Sequence, residues 1–238
     1  TRLFALWSCF WAVVLGLVVG CTMVLPFAVL PRGRRERYTI RGAAVWAWLC
    51  IRGVLLCRPR ITGTIDLPPG QGAILVCNHR SWLDPMLLIA YGLSNGLSKR
   101  EILYIPVIGL FGHLSGAVFF DRRDRGHRAW ARKEVLKLVK GGHRLQVFPE
   151  GTRSKDGNLR RKVFLTLPRD AWNDGIPVVP CAVSHTEDVL PVGRFAAYPG
   201  KEVGVVFGAT LWPKDFASEE DFAVACWKAV KDLLKDAA

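Results

Sequence analysis

The sequence predicts an α/β fold: a mostly parallel mixed sheet flanked by helices, preceded by an N-terminal hydrophobic two-helix membrane hairpin. Three observations predict it. Residues 3–30 contain no charged side chain. From residue 59 onward, short β-branched runs alternate with stretches of helical period. Three successive apolar runs are each followed by a polar loop rich in His, Arg and carboxylates.

The charge-free run LFALWSCFWAVVLGLVVGCTMVLPFAVL comes first. As a helix it measures about 42 Å, against roughly 30 Å of hydrocarbon in a bilayer, so it can span with tilt. Pro26 is placed to end or kink it. The run is too long for a signal-peptide core and lacks a small-x-small cleavage site. Gly16 and Gly20 form a G-x-x-x-G that reads as ordinary helix packing. Arg32, Arg34, Arg35, Arg37 and Arg41 follow the run, whereas only Arg2 precedes it. That asymmetry places the remaining chain on the cytoplasmic side of a cell membrane, the bacterial inner membrane being the expected one. Residues 42–57, GAAVWAWLCIRGVLLC, are interrupted by Arg52. At about 24 Å they are short for a span and read as an interfacial helix carrying Trp46 and Trp48. The two segments make a helical hairpin that either spans or sits in one leaflet, and the expected division is a membrane-anchoring hairpin over residues 1–58 and an α/β domain over 59–238.

Strands are expected at 73–77, 116–120, 144–148, 177–183 and 202–208, and helices at 85–93, 127–140 and 221–235. Parallel sheets present ligands at the carboxyl ends of their strands. There the chain places NHRSWLD, then Asp121-Arg122, then Pro149-Glu150-Gly151-Thr152-Arg153-Ser154.

Composition narrows the chemistry. The net charge is +13, half the residues are apolar, and nine are Trp. This balance suits a membrane surface or an anionic lipid, and with no nucleic-acid motif present, nucleic acid is not an expected partner. The seven cysteines sit mostly singly in apolar runs, without C-x-x-C, and read as buried reduced thiols. Five scattered histidines without H-E-x-x-H predict neither metal nor cofactor. Gly92-Leu93-Ser94-Asn95-Gly96 matches G-x-S-x-G but follows a helical run. A nucleophile elbow needs a strand there, so the motif reads as a helix stop.

His79 and Asp84 are the pair that chemistry would use. Five residues of strand separate two side chains by about 16 Å, and five of helix set them about 140° apart. The two meet only if residues 79–84 form a compact turn. Asp84-Pro85 also suits an N-cap followed by N1. A carboxylate on one imidazole nitrogen fixes the tautomer and supports the imidazolium. The other nitrogen can then take a proton from a substrate hydroxyl.

These residues resemble the glycerolipid acyltransferases typified by 1-acylglycerol-3-phosphate acyltransferase. NHRSWLD resembles that family's N-H-x-x-x-x-D block, GAVFFDR (116–122) its second, FPEGTRS (148–154) its third, and IPVVP (176–180) its proline-bearing fourth. Lys99 with Glu101 is similar to its Lys-x-Glu stretch. The order and spacing agree over residues 60–210, roughly. The resemblance implies that His79 deprotonates the free sn-2 hydroxyl of lysophosphatidic acid. That hydroxyl attacks an acyl thioester directly, giving phosphatidic acid without an acyl-enzyme. It further implies that Asp84 orients His79, and that Arg122 and Arg153, with Gly151 and Thr152, hold the acceptor phosphate. Glu150 would brace that loop, and Lys99 would stabilise the oxyanion or the donor's phosphates. Asn78 and Pro177 carry over with their blocks as substrate-binding positions. Acyl-CoA or acyl-carrier protein is the implied co-substrate, with membrane lipids as partners. Arg123, Arg125, Arg128, Arg132 and Lys133 are candidates for coenzyme A phosphates, an acidic carrier or headgroups. The family's Phe-Lys-x-Gly after the third block is replaced here by NLRRKVFLTLPRD. That leaves open a different lysolipid acceptor, such as a lyso-aminolipid (lyso-ornithine lipid). A non-catalytic, membrane-tethered lipid-binding protein is the reading from another functional class.

Overall fold

The computed structural model describes residues 1–105, 107–154 and 158–236. Its strands are β1 (Arg58–Thr62), β2 (Ala73–Cys77), β3 (Ser94–Lys99), β4 (Val118–Phe120), β5 (Arg144–Val147), β6 (Val178–Ser184) and β7 (Glu202–Phe207). They form one sheet in the order β1-β7-β6-β2-β5-β3-β4. Every pairing is parallel except β6 with β7. β2 and β6 are buried at every position, as uninterrupted apolar runs covered on both faces should be.

The helices are α1 (Arg2–Val19), α2 (Arg34–Leu49), α3 (Leu83–Gly92), α4 (Ile108–Leu114), α5 (Arg125–Lys140), α6 (Thr166–Asn173) and α7 (Glu219–Asp236). One face of the sheet packs Leu75, Cys77, Cys181, Val183 and Val205 against Leu83, Leu87 and Leu88 of α3 and Ala5 of α1. The other face packs Ile74, Val76, Leu145 and Val178 against Val135 and Val139 of α5, Ala171 of α6, and Phe222, Cys226 and Val230 of α7. The spacing of that last trio is the helical repeat of one buried stripe.

The N-terminal run is a helix through Phe27, long and apolar enough to cross a membrane. It loosens into a π turn at Gly20–Val24 and tightens into a 3-10 turn at Leu25–Phe27. Pro26 lies in that last turn and lacks the N–H that regular helix needs. Leu3, Leu6, Phe10, Leu17 and Val18 face outward. Gly16 and Gly20 pack within the chain: a Cβ at Gly16 would strike Val107, and one at Gly20 would strike the Phe111 ring.

Three features differ from expectation. The second helix begins at Arg34, so the basic stretch expected as a connector is its first turns. The cause is Glu36, which is buried yet paired with Arg35 at 2.9 Å and Arg32 at 3.6 Å and accepts the Gly33 N–H. That bond from Glu36 back to the N-cap N–H is one half of a capping box, and it steadies a helix start where charge alone would suggest a loop. Second, Ser94-Asn95-Gly96 opens β3 after α3 ends at Gly92, with Leu93 left-handed. The G-x-S-x-G therefore runs helix to strand, the reverse of an elbow. Third, β1, β3, α4 and α6 lie outside the expected elements, because each is short, and α6 carries a proline in its first turn.

Candidate active site

The site forms at the carboxyl ends of β2, β4, β5 and β6. Leaving β2, the chain first meets Asn78, which is fully buried. Its Nδ2 donates to the Val183 carbonyl at 3.0 Å, and its Oδ1 accepts the Val183 N–H at 2.8 Å. Both ends of the amide are used in joining β2 to β6. Asn78 is thus a brace, which corrects the expectation that it touches substrate.

The turn that follows is folded around Asp84. Oδ2 lies 2.7 Å from His79 Nδ1 and accepts the N–H groups of Arg80 at 2.6 Å and Ser81 at 2.7 Å. A carboxylate oxygen that already draws in two N–H groups takes a third donor, so neutral His79 carries its proton on Nδ1. Nε2 is then the ring nitrogen left with a lone pair. Asp84 does not cap α3: Ser81 Oγ accepts the Leu83 N–H at 3.2 Å in its place. The His79 ring stacks on Phe148 at 4.1 Å.

The third loop is strapped to the same histidine. Glu150 Oε1 accepts the His79 N–H at 2.8 Å, and the Ser154 N–H donates to the His79 carbonyl at 2.8 Å. Glu150 Oε2 accepts the Arg160 N–H at 3.1 Å. Burial pushes the Glu150 carboxyl up, while the two N–H bonds pull against that shift. Glu150 is nearly fully buried, and its oxygens are spent on backbone, so it braces rather than binds.

The cations stand in front. Arg122 Nη1 donates to the Gly151 carbonyl at 2.5 Å, and the Arg153 guanidinium lies 4.5 Å over the Trp82 ring. Burial lowers both guanidinium pKa values from the ordinary value, opposed by Glu101 at Arg122 and by Asp84 at Arg153. His79, Lys99, Arg122, Gly151, Thr152 and Arg153 line one cavity of about 1340 Å³. Its inner wall is apolar and comes from α1, α2 and α4, including Ala12, Gly16, Trp46 and Phe111. Trp46 Nε1 donates to the Ala12 carbonyl at 2.9 Å, joining two of those walls. Pro177 does not reach the cavity. It is buried at the opposite end of β6, where its carbonyl accepts the Ile74 N–H, so the structure does not support a substrate contact there.

Two residues escaped the sequence reading. Thr186 Oγ1 donates to Asp84 Oδ1 at 2.5 Å, and Glu187 pairs with Arg80 at 2.6 Å. Both follow β6. The rule that singled out polar loops after three strands would have found them had it been applied to the fourth.

Chemically, the arrangement offers a basic imidazole nitrogen, a buried carboxylate behind it and fixed cations ahead. Burial pushes the Cys77 and Cys181 thiols well up and Cys226 to about 12, so none of these three is a ready thiolate nucleophile. Among the described residues no group of three His, Cys, Asp or Glu could hold a metal ion.

Comparison with known proteins places this geometry. Residues 58–184 match the family described as Acyltransferase. The chain is 34% identical over 218 residues to the chloroplastic 1-acyl-sn-glycerol-3-phosphate acyltransferase BAT2 of Brassica napus, covering 89% of this chain and 62% of that protein. It is 32% identical over 153 residues to the lyso-ornithine lipid O-acyltransferase of Brucella abortus (strain 2308), covering 59% of this chain and 57% of that one. It thus spans about three fifths of these curated relatives, 62% and 57%. Among solved structures it is similar to the 1-acyl-sn-glycerophosphate (LPA) acyltransferase, PlsC, of Thermotoga maritima. That match has a TM-score of 0.83 and 27% identity, over 99% of this chain and 97% of the other.

Asn78→Ala would leave the buried Val183 N–H and carbonyl without their partner. The expected cost is about 1–3 kcal/mol of stability, read as a lower Tm with an unchanged KM for the acceptor. A raised KM at unchanged Tm would return Asn78 to the substrate.

Proposed function

The chain belongs to the Acyltransferase family, and from that premise we propose that it transfers an acyl group from acyl-CoA or acyl-carrier protein to the sn-2 hydroxyl of lysophosphatidic acid, forming phosphatidic acid. The observation that carries this reading is the 2.7 Å contact of His79 Nδ1 with buried Asp84, at the mouth of a lipid-sized, apolar-walled cavity. His79 Nε2 takes the hydroxyl proton as the acceptor oxygen bonds to the thioester carbonyl carbon. The tetrahedral intermediate collapses with loss of the C–S bond, and the imidazolium returns its proton to the departing sulfur. Asp84 supports the imidazolium between those two events. Lys99, which lines the same cavity, would answer the developing oxyanion or the donor's phosphates.

The cavity lining favours a phosphate-bearing acceptor. Among the described residues it includes seven Arg and Lys side chains and no carboxylate, a field that rewards a phosphate monoester over a zwitterionic lyso-aminolipid. Arg122 and Arg153 are held by Gly151 and Trp82, and pre-set guanidinium groups lose less freedom on binding phosphate. The lyso-ornithine reading remains the second choice, favoured by the likeness to the Brucella abortus enzyme. An intact His79/Asp84 pair argues against a silent lipid binder. The outward apolar face of α1 embeds in the cell membrane, with exposed Arg34, Arg37 and Arg41 of α2 meeting anionic headgroups on the cytoplasmic side.

With one acyl-CoA and a panel of lysolipids, the wild-type chain should turn over lysophosphatidic acid well ahead of lyso-ornithine lipid. His79→Ala should lose about 10²–10⁴-fold in kcat while remaining folded, since Arg80, Ser81 and Thr186 still donate to Asp84; near-normal turnover in that variant would sink the reading. Arg153→Ala should raise the KM for lysophosphatidic acid by about tenfold or more, the worth of one charge-assisted contact, and leave the KM for acyl-CoA alone. Equal effects on both constants would remove Arg153 from the acceptor site. In vesicles, exposed Cys9 and Cys21 of the apolar helix should resist a water-soluble maleimide until detergent is added. Rapid labelling in intact vesicles would contradict embedding.

A further inference from the structure

We propose that Thr186 is a positioning residue of the dyad, its hydroxyl locking the plane of the Asp84 carboxylate so that Oδ2 stays aimed at His79. This rests on the acyl-transfer reading above and extends it to a residue outside the four sequence blocks.

Asp84 has no exposed surface, and a buried carboxylate needs donors on both oxygens. Oδ2 has three, from His79, Arg80 and Ser81. Among the described residues, Oδ1 has one: Thr186 Oγ1 at 2.5 Å, a short charge-assisted bond. Thr186 is itself fully buried and does not line the cavity. It touches no substrate and acts through Asp84.

The chain is shaped to deliver that hydroxyl. His185, the residue just after β6, is left-handed at φ +60, a conformation that a non-glycine residue adopts at some cost. It swings the chain out of the strand direction. The Thr186 carbonyl then accepts the N–H groups of Val189 and Leu190, each at 3.2 Å. Arg80–Glu187 at 2.6 Å and Ser81 Oγ to the Leu190 carbonyl at 2.9 Å fasten this loop to both sides of the His79–Asp84 turn.

Rotation of the carboxylate about Cβ–Cγ would break all three bonds at Oδ2, and Thr186 opposes it from the other oxygen. Without the hydroxyl, Oδ1 is a bare buried charge, which a proton on the dyad relieves. The dyad then keeps its proton to higher pH, and the free-base form is lost at the acid end. The other charged or titratable groups around Asp84 are His79 and Arg80 in its own turn, Cys77 of β2, Glu150 and Arg153 of the third loop, and Glu187 beside Thr186. A substitution at 186 leaves every one of them in place.

The test uses the full chain in detergent, with lysophosphatidic acid and acyl-CoA, across a pH series. Thr186→Val replaces the hydroxyl with a methyl of similar size, and Thr186→Ser keeps it. The valine variant should lose about 10- to 100-fold in kcat with an unchanged KM for acyl-CoA. Its acidic limb should move up by about one pH unit, and the His79 ring titration followed by NMR should move the same way. Serine should restore all three readouts. A valine variant with wild-type kcat and limb overturns the proposal. So does one that loses activity with no shift of the limb, or one that fails to fold while the serine variant folds. A wild-type chain inert toward every lysolipid overturns the acyl-transfer reading instead; the His79 titration still decides Thr186, since an unmoved ring titration overturns its role with or without turnover.

Discussion

The site depends on one buried carboxylate. Asp84 gathers four donors, from His79, Arg80, Ser81 and Thr186, and two of them are backbone N–H groups of its own turn. Burying a charge costs several kcal/mol unless its lone pairs are satisfied, so the turn closes around Asp84 or does not close at all. The same satisfaction that makes the burial tolerable also aims the imidazole. Stability and the geometry of the site are therefore hard to separate at this position: a change that loosens the turn also turns the imidazole away.

A second constraint brings the remaining parts to that turn. His79 has its N–H on Glu150 and its carbonyl on the Ser154 N–H, which is how one strand pairs with the next. The third loop thus continues the β2–β5 ladder past the ends of both strands, with a side chain standing in for one partner. Arg122 adds a bond to Gly151, where a left-handed glycine lets the loop turn back. Three segments distant in sequence become one rigid rim, and the cations on it are presented at fixed positions.

Much of this was legible in the sequence because the central strands announce themselves. AILVC and PVVPCAV are β-branched runs with no polar residue, and both are strands within a residue of the expected bounds. His79 and Asp84 stood out because they share a polar loop straight after an apolar run, and because that loop and the later blocks resemble the acyltransferase pattern. What was not legible depends on partners far along the chain. Nothing in Asn78 shows that Val183 will consume its amide, and nothing in Pro177 shows that its block enters the sheet from the far end. The basic stretch before residue 42 reads as a linker until Glu36 is seen buried among arginines. Thr186 is marked only by following β6, and nothing in its loop shows that its partner is Asp84, 102 positions away.

The cavity joins these levels. Its mouth is built from charged loops on a rigid sheet edge, and its depth from small and apolar residues on helices that also face outward. Gly16 and Gly20 have no side chain where Val107 and Phe111 come in, so the apolar helix approaches the α4 region closely instead of standing off from it. That closeness lets one hydrophobic surface serve twice: outward residues such as Leu6 and Phe10 suit lipid, while Ala12 and Gly16 wall the cavity. Under the proposed function, an amphiphile entering from a bilayer would keep its chain in an apolar setting, and only its polar end would meet the arginines. The cost of exposing a long chain to water, about 0.8 kcal/mol for each methylene, would then be avoided. On that reading the polar end decides binding, where Arg122, Arg153 and the imidazole of His79 line the same cavity.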